Sequence, residues 1–94
     1  MKTFTVYTDP GHGWIKVPIA LLVSLGIADK ITTFSYRKNE YAYLEEDVDA
    51  ATFITAYRQK YGQPKYVGKH TNRSSKIRSY PYYRLWRHEP ILNP

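Results

Sequence analysis

An α+β domain is the fold class this chain predicts: two helices on an antiparallel or mixed sheet, in the approximate order β-α-β-β-α-β. Three observations predict it. Residues 3–8 and 40–44 carry β-prone Tyr, Thr, Val and Phe with the two-residue period of a half-buried strand. Residues 50–61 place Ala50, Phe53, Ile54, Tyr57 and Tyr61 at helical spacing behind a run of carboxylates. With 94 residues and no cysteine, the chain has material for one core and no disulfide to supplement it.

Each element follows in order. Phe4, Val6 and Thr8 fall on one side of the first strand and Thr3, Thr5 and Tyr7 on the other. Asp9-Pro10-Gly11-His12-Gly13 reads as a tight loop, because Pro fixes φ and glycine relaxes it. Residues 14–17 then read as a short extended continuation. Pro18 suits the first position of a short helix with Ile19, Leu22, Val23 and Leu25 as its apolar stripe and Gly26 just past its end. Ile27 and Ile31 are expected beneath that helix, flanking a surface turn at Ala28-Asp29-Lys30.

Residues 32–36 and 40–44 form the next two predicted strands, joined at Arg37-Lys38-Asn39, with Tyr41 and Tyr43 opposite Ala42 and Leu44. Glu45-Glu46-Asp47-Val48-Asp49 opens the second helix, whose dipole favours acids at its start and Arg58 and Lys60 near its end; Gly62 and Pro64 close it. Residues 65–71 suit one more strand, with Tyr66, Gly68 and His70 on one face. Asn72-Arg73-Ser74-Ser75 is a loop, and residues 76–86, which contain Pro81, are at best an edge strand. The expected organisation is an α+β body over residues 1–70 and a basic, aromatic segment over residues 71–94 that can pack back on it.

Charge is distributed unevenly. Residues 1–62 hold seven Lys/Arg against seven Asp/Glu, whereas residues 63–94 hold Lys65, Lys69, Arg73, Lys76, Arg78, Arg84 and Arg87 against Glu89 alone. The formal charge of +6 therefore lies on the last third, together with the rings of Tyr66, Tyr80, Tyr82, Tyr83 and Trp86. Cations neutralise phosphates and release counterions, and flat rings stack on bases. This combination favours a nucleic-acid partner, DNA or RNA, with Lys65, Lys69, Arg73, Lys76, Arg78, Arg84 and Arg87 on phosphates and Tyr80, Tyr82, Tyr83 and Trp86 as stacking platforms.

Other chemistry finds less support. No cysteine is present, no serine sits in a glycine elbow, and His12, His70 and His88 are far apart in sequence, so no catalytic residues are assigned. The Glu45, Glu46, Asp47 and Asp49 cluster suits a helix N-terminus better than a metal site. A second interaction surface is nevertheless expected at Gly11, His12, Gly13 and Trp14 together with Glu45 and Glu46, for a protein partner, and exposure of Trp14 is the test of it. No apolar stretch follows Lys2 as in a secretory leader, and the apolar run at residues 17–25 is broken by Pro18 and Ser24, well short of the ~20 residues a membrane span needs. The chain therefore reads as a soluble protein without a membrane partner, and neither a cofactor nor a metal is assigned.

Two resemblances add to this reading. Val6-Tyr7-Thr8-Asp9-Pro10-Gly11-His12-Gly13 is similar to the strand and loop that open zinc-dependent N-acetylmuramoyl-L-alanine amidases, whose loop histidine binds the metal. That likeness implies a metal-dependent hydrolase as a minor alternative, with His12 the matching position and no matching context for the remaining ligands. The blocks Asp9-Pro10-Gly11-His12-Gly13-Trp14, Leu25-Gly26-Ile27, Phe34-Ser35-Tyr36 and Ala42-Tyr43-Leu44-Glu45-Glu46-Asp47-Val48-Asp49-Ala50, taken together, resemble short uncharacterised proteins encoded by bacteriophages and other bacterial mobile elements. This second resemblance implies a setting, the cytoplasm of a bacterial host, and a role in binding nucleic acid or host proteins rather than in catalysis.

Overall fold

The computed structural model describes residues 2–84. Its elements are β1 (Thr3–Thr8), β2 (Gly13–Pro18), α1 (Ile19–Ser24), β3 (Tyr36–Lys38), β4 (Tyr41–Glu45), α2 (Asp49–Tyr61) and β5 (Lys65–His70), with single 3-10 turns at Ala28–Lys30 and Lys76–Ser79. The five strands form one mixed sheet in the order β3-β4-β2-β1-β5. Neighbours pair antiparallel except β5, which runs parallel to β1 from Thr3↔Lys65 to Thr8↔His70. The architecture is α+β, as the residue periods predict.

Several local expectations change. The stretch after the first loop is a full strand, not a continuation, and it is the central strand of the sheet. The cause is the Asp9 carboxylate, whose Oδ1 accepts the N–H groups of Gly11 and His12 at 2.9 Å each, while the Asp9 N–H donates to the His12 carbonyl. The chain is thereby folded back into a hairpin. Pro18 closes β2 and caps α1 from outside, and the first helical residue, Ile19, donates its N–H to Glu40 O at 2.9 Å. Finally, residues 32–35 are a turn rather than strand. The fully buried Asp49 carboxylate accepts the N–H and Oγ1–H of Thr32 and the Oγ–H of Ser35, at 2.6–3.1 Å, which winds this stretch around the start of α2.

Helix ends follow local chemistry. Gly26 adopts φ +75° past α1, so that its N–H reaches Val23 O and that of Ile27 reaches Leu22 O, the paired bonds of a Schellman cap. Val23 faces solvent; only Ile19 and Leu22 of α1 are buried. At the start of α2, Glu45 accepts the N–H groups of Asp47, Val48 and Asp49 at 2.7–3.0 Å, satisfying donors that would otherwise lack partners.

The two helices cover one sheet face. Phe4, Ile15, Val17, Ala42 and Leu44 pack there against Leu22, Ala50, Phe53 and Tyr57, with Phe4 edge-on to Phe53 at 5.1 Å and to Tyr57 at 5.3 Å. The opposite face carries a second cluster, Trp14 and Tyr43 with Tyr7, Tyr36 and Tyr80, closed by Ile77 from the segment after β5. That segment is the 3-10 turn followed by an isolated bridge, Tyr36↔Tyr82, instead of an edge strand. Among the described residues no helix is long and apolar enough to cross a membrane.

Candidate nucleic-acid interface

An ion pair fastens the start of the segment after β5. Arg78 donates through Nε to Asp9 Oδ2 at 2.7 Å and through Nη2 to Oδ1 at 2.9 Å, and Ser75 N–H adds a bond to Oδ2 at 2.8 Å. Gly11 leaves the space this requires: a Cβ there would lie 3.0 Å from Arg78 Nη2. With the two loop N–H groups, Asp9 accepts five hydrogen bonds although it is buried. The Arg78 guanidinium foremost, and the Ser75 N–H after it, hold the carboxyl well below the usual carboxylate range against the opposing effect of burial. Arg78 also lies over the Trp14 ring, 5.3 Å from its centroid.

Around this clasp the open sheet face is basic. The two-residue period and the strand registers put Lys16 (opposite Tyr43), Lys38 (opposite Tyr41), Lys65 (opposite Thr3) and Lys69 (opposite Tyr7) on the side away from the helices. Lys16 Nζ sits 4.3 Å from the centroid of Tyr41 and Lys38 Nζ 4.8 Å from that of Tyr80, so both cations rest on rings. Lys76 follows on the covering segment and lines a cleft with Lys69 and Arg73. Tyr43, buried and ringed by Tyr80, Tyr7 and Tyr41, has its phenol pushed up to about 12 and stays neutral. Lys16 and Lys38 belong to the electroneutral part of the sequence and were missed there; the alternation that places Trp14 and Tyr43 on this face was the signal that finds them.

The predicted residues separate into groups. Lys65, Lys69, Arg73 and Lys76 are exposed on the open side, as is Tyr82, 62% exposed and stacked on Tyr36 at 5.7 Å. Tyr80 is half-buried edge-on against Tyr43 at 5.1 Å. Tyr83 presents no open ring face: it is 2% exposed, anchored among the helix-face residues, and its hydroxyl donates to Ala28 O at 2.6 Å. Arg78 is a clasp rather than a free phosphate ligand. Arg84 is exposed, and its carbonyl accepts from Arg37 Nη1 at 2.8 Å. Trp86 and Arg87 lie outside the described residues.

The second predicted surface comes together in space but changes character. His12 Nδ1 lies 3.2 Å from Glu46 Oε2, and the absent Cβ of Gly13 leaves 3.3 Å to Glu46 Oε1. Trp14, however, is 2% exposed and is a packing residue, not an anchor for a partner. Glu45 is engaged in capping; burial raises its carboxyl, but the N–H groups of Asp49, Val48 and Asp47, helped by nearby His12, hold it below its ordinary value. The apolar exposure here comes instead from Phe34 (76%) and Val48 (55%), which line a groove of about 420 Å³ with His12, Tyr36, Asp47 and Arg78. Among the described residues no three His, Asp or Glu side chains stand together as a metal-ligand group. In comparisons with known proteins, no family model, curated protein or solved structure matches the chain.

Proposed function

We propose that this chain is a non-catalytic nucleic-acid-binding accessory protein of a bacteriophage or other bacterial mobile element, acting in the cytoplasm of the bacterial host. The observation that carries the reading is the basic open face, where Lys16 and Lys38 from the first two-thirds of the chain join Lys65, Lys69, Arg73 and Lys76 from the last third. A sheet face studded with lysines and partly exposed tyrosines offers phosphate contacts and ring surfaces together. Five such contacts to duplex phosphates correspond to a log–log salt slope of roughly −4 to −5.

The test is fluorescence-anisotropy titration of labelled single- and double-stranded oligonucleotides at two salt concentrations. Micromolar or tighter binding that weakens steeply with salt is expected; no binding at low salt overturns the proposal. Arg78 is unsuitable as a probe of phosphate contact, because its loss releases the clasp on Asp9.

The groove at Phe34 and Val48 favours a second reading, a factor that inhibits or redirects a host or defence protein. Its exposed apolar side chains line the groove together with Glu45 and Asp47, two acids on a basic protein. Under this reading Phe34→Ala abolishes binding to the host protein while substitutions on the lysine face leave it unchanged. The metal-dependent hydrolase suggested by the loop at His12 has no comparable supporting observation.

A further inference from the structure

Beside the clasp, three cations converge without a counter-charge. Lys69 at the end of β5, Arg73 in the following loop and Lys76 at the 3-10 turn line one cleft of about 310 Å³, and none of its lining residues is a carboxylate. The remaining lining is rich in hydrogen-bonding groups: Tyr7, Thr8, His70, Thr71, Ser74 and Ser75. The nearby Asp9 is already neutralised by Arg78, and none of the three cations forms an ion pair with a described residue.

The walls are also fixed in place. Thr71 N–H donates to Thr8 O at 3.0 Å, extending the pairing of β5 with β1. His70 bridges Thr8 Oγ1 through Nδ1 at 2.8 Å and Asn72 Oδ1 through Nε2 at 3.2 Å. Ser75 N–H is bound to Asp9, and Ser75 Oγ accepts from Ile77 N–H at 3.2 Å. The loop that brings Arg73 and Lys76 towards Lys69 is thus tied down at both ends before any ligand arrives. Convergent like charges repel one another, and an anion with several acceptor oxygens removes that cost while taking charge-assisted hydrogen bonds.

We propose that this cleft is a binding site for a single phosphate group, held by Lys69, Arg73 and Lys76. The inference rests on the nucleic-acid reading for the source of that phosphate, a backbone diester or a terminal monoester. It makes the basic face more than a diffuse cation field, since one phosphate is fixed and sets the register of the strand on the sheet.

The experiment is an NMR titration of the full chain with inorganic phosphate, alongside anisotropy measurements with oligonucleotides bearing or lacking a 5′-phosphate. The variants are Lys69→Gln, Arg73→Gln and Lys76→Gln, with Lys60→Gln, an exposed cation of α2, as control. Expected are amide shifts concentrated at residues 69–76 and roughly tenfold weaker phosphate binding in each cleft variant, the scale of one lost hydrogen bond to a charged group. The control should change less than twofold. A preference for 5′-phosphorylated oligonucleotides assigns the site to strand ends; equal binding, still weakened by the cleft variants, assigns it to the backbone. Oligonucleotide binding that survives all three substitutions overturns the cleft but leaves the nucleic-acid reading intact. Phosphate bound in the cleft without any oligonucleotide binding overturns that reading and leaves the site to a free phosphate compound. Shifts spread evenly over every lysine overturn the inference.

Discussion

The two faces of the sheet are closed by different means. On the helix side, Phe4, Val17, Leu44 and Phe53 meet α1 and α2 across a continuous apolar interface, and stability comes from area removed from water. On the open side, one short segment lays Ile77 and Tyr80 over Trp14 and Tyr43 and is fastened by the Asp9–Arg78 pair. Apolar burial is non-directional and largely indifferent to pH, whereas an ionic clasp depends on geometry and on the state of one carboxylate. The first face makes the fold; the second positions the cations that the proposed function uses.

The largest effect is expected from attacking the first face. Phe53→Ala removes a fully buried ring and should cost about 3–5 kcal/mol, a large share of the ~5–15 kcal/mol typical of a whole domain. Urea unfolding should show the loss as a lower midpoint in both clusters at once, because the second has no support without the sheet.

Asp9→Asn should have a smaller and more local effect. Asparagine retains an acceptor for Gly11 and His12 but loses the charge that holds Arg78. Hydrogen exchange should speed up at residues 75–80 while amides of α2 stay protected; equal loss in both places would show that the faces form one cooperative unit. Acid acts in the same direction. Because the folded-state pKa values of Asp9 and Glu45 are depressed, their stabilisation is full above about pH 5, starts to fall as pH enters the ordinary carboxylate range and is exhausted only below their lowered folded-state values. Thermal melts from pH 7 to pH 3 should therefore fall in the wild type and fall less in Asp9→Asn.

The smallest structural effect belongs to Lys16→Gln. Stability should stay within about 0.5 kcal/mol of wild type, since Lys16 contributes a surface contact to Tyr41 and no core volume. The salt slope of oligonucleotide binding should nevertheless shrink by about 1, as for the loss of one phosphate contact. An unchanged slope would remove the open face of β2 from the interface.

Periodicity made some elements legible from residues alone. The spacing of Ala50, Phe53 and Tyr57 marks the buried side of α2, and Gly26, Asn39 and Gly62 take the positive φ angles that helix ends and tight turns require. The errors share a cause. Residues 32–35 have strand-like side chains, yet Asp49, fourteen to seventeen positions later, claims their polar groups and winds them into a turn. Tyr83 resembles its neighbours Tyr80 and Tyr82, but only its depth in the fold distinguishes a buried strut from an exposed ring.

What the sequence determined by itself is whatever short-range physics controls: strand and helix periods, capping and turn residues, the absence of disulfides and the total charge of +6. Only the tertiary structure decided that Asp9 finds Arg78, 69 positions away, that Trp14 is covered, and that Lys16 and Lys38 share a face with the basic last third. Those outcomes depend on strand order and register, which arise when distant segments compete to bury the same apolar faces, and no local window of residues contains that competition.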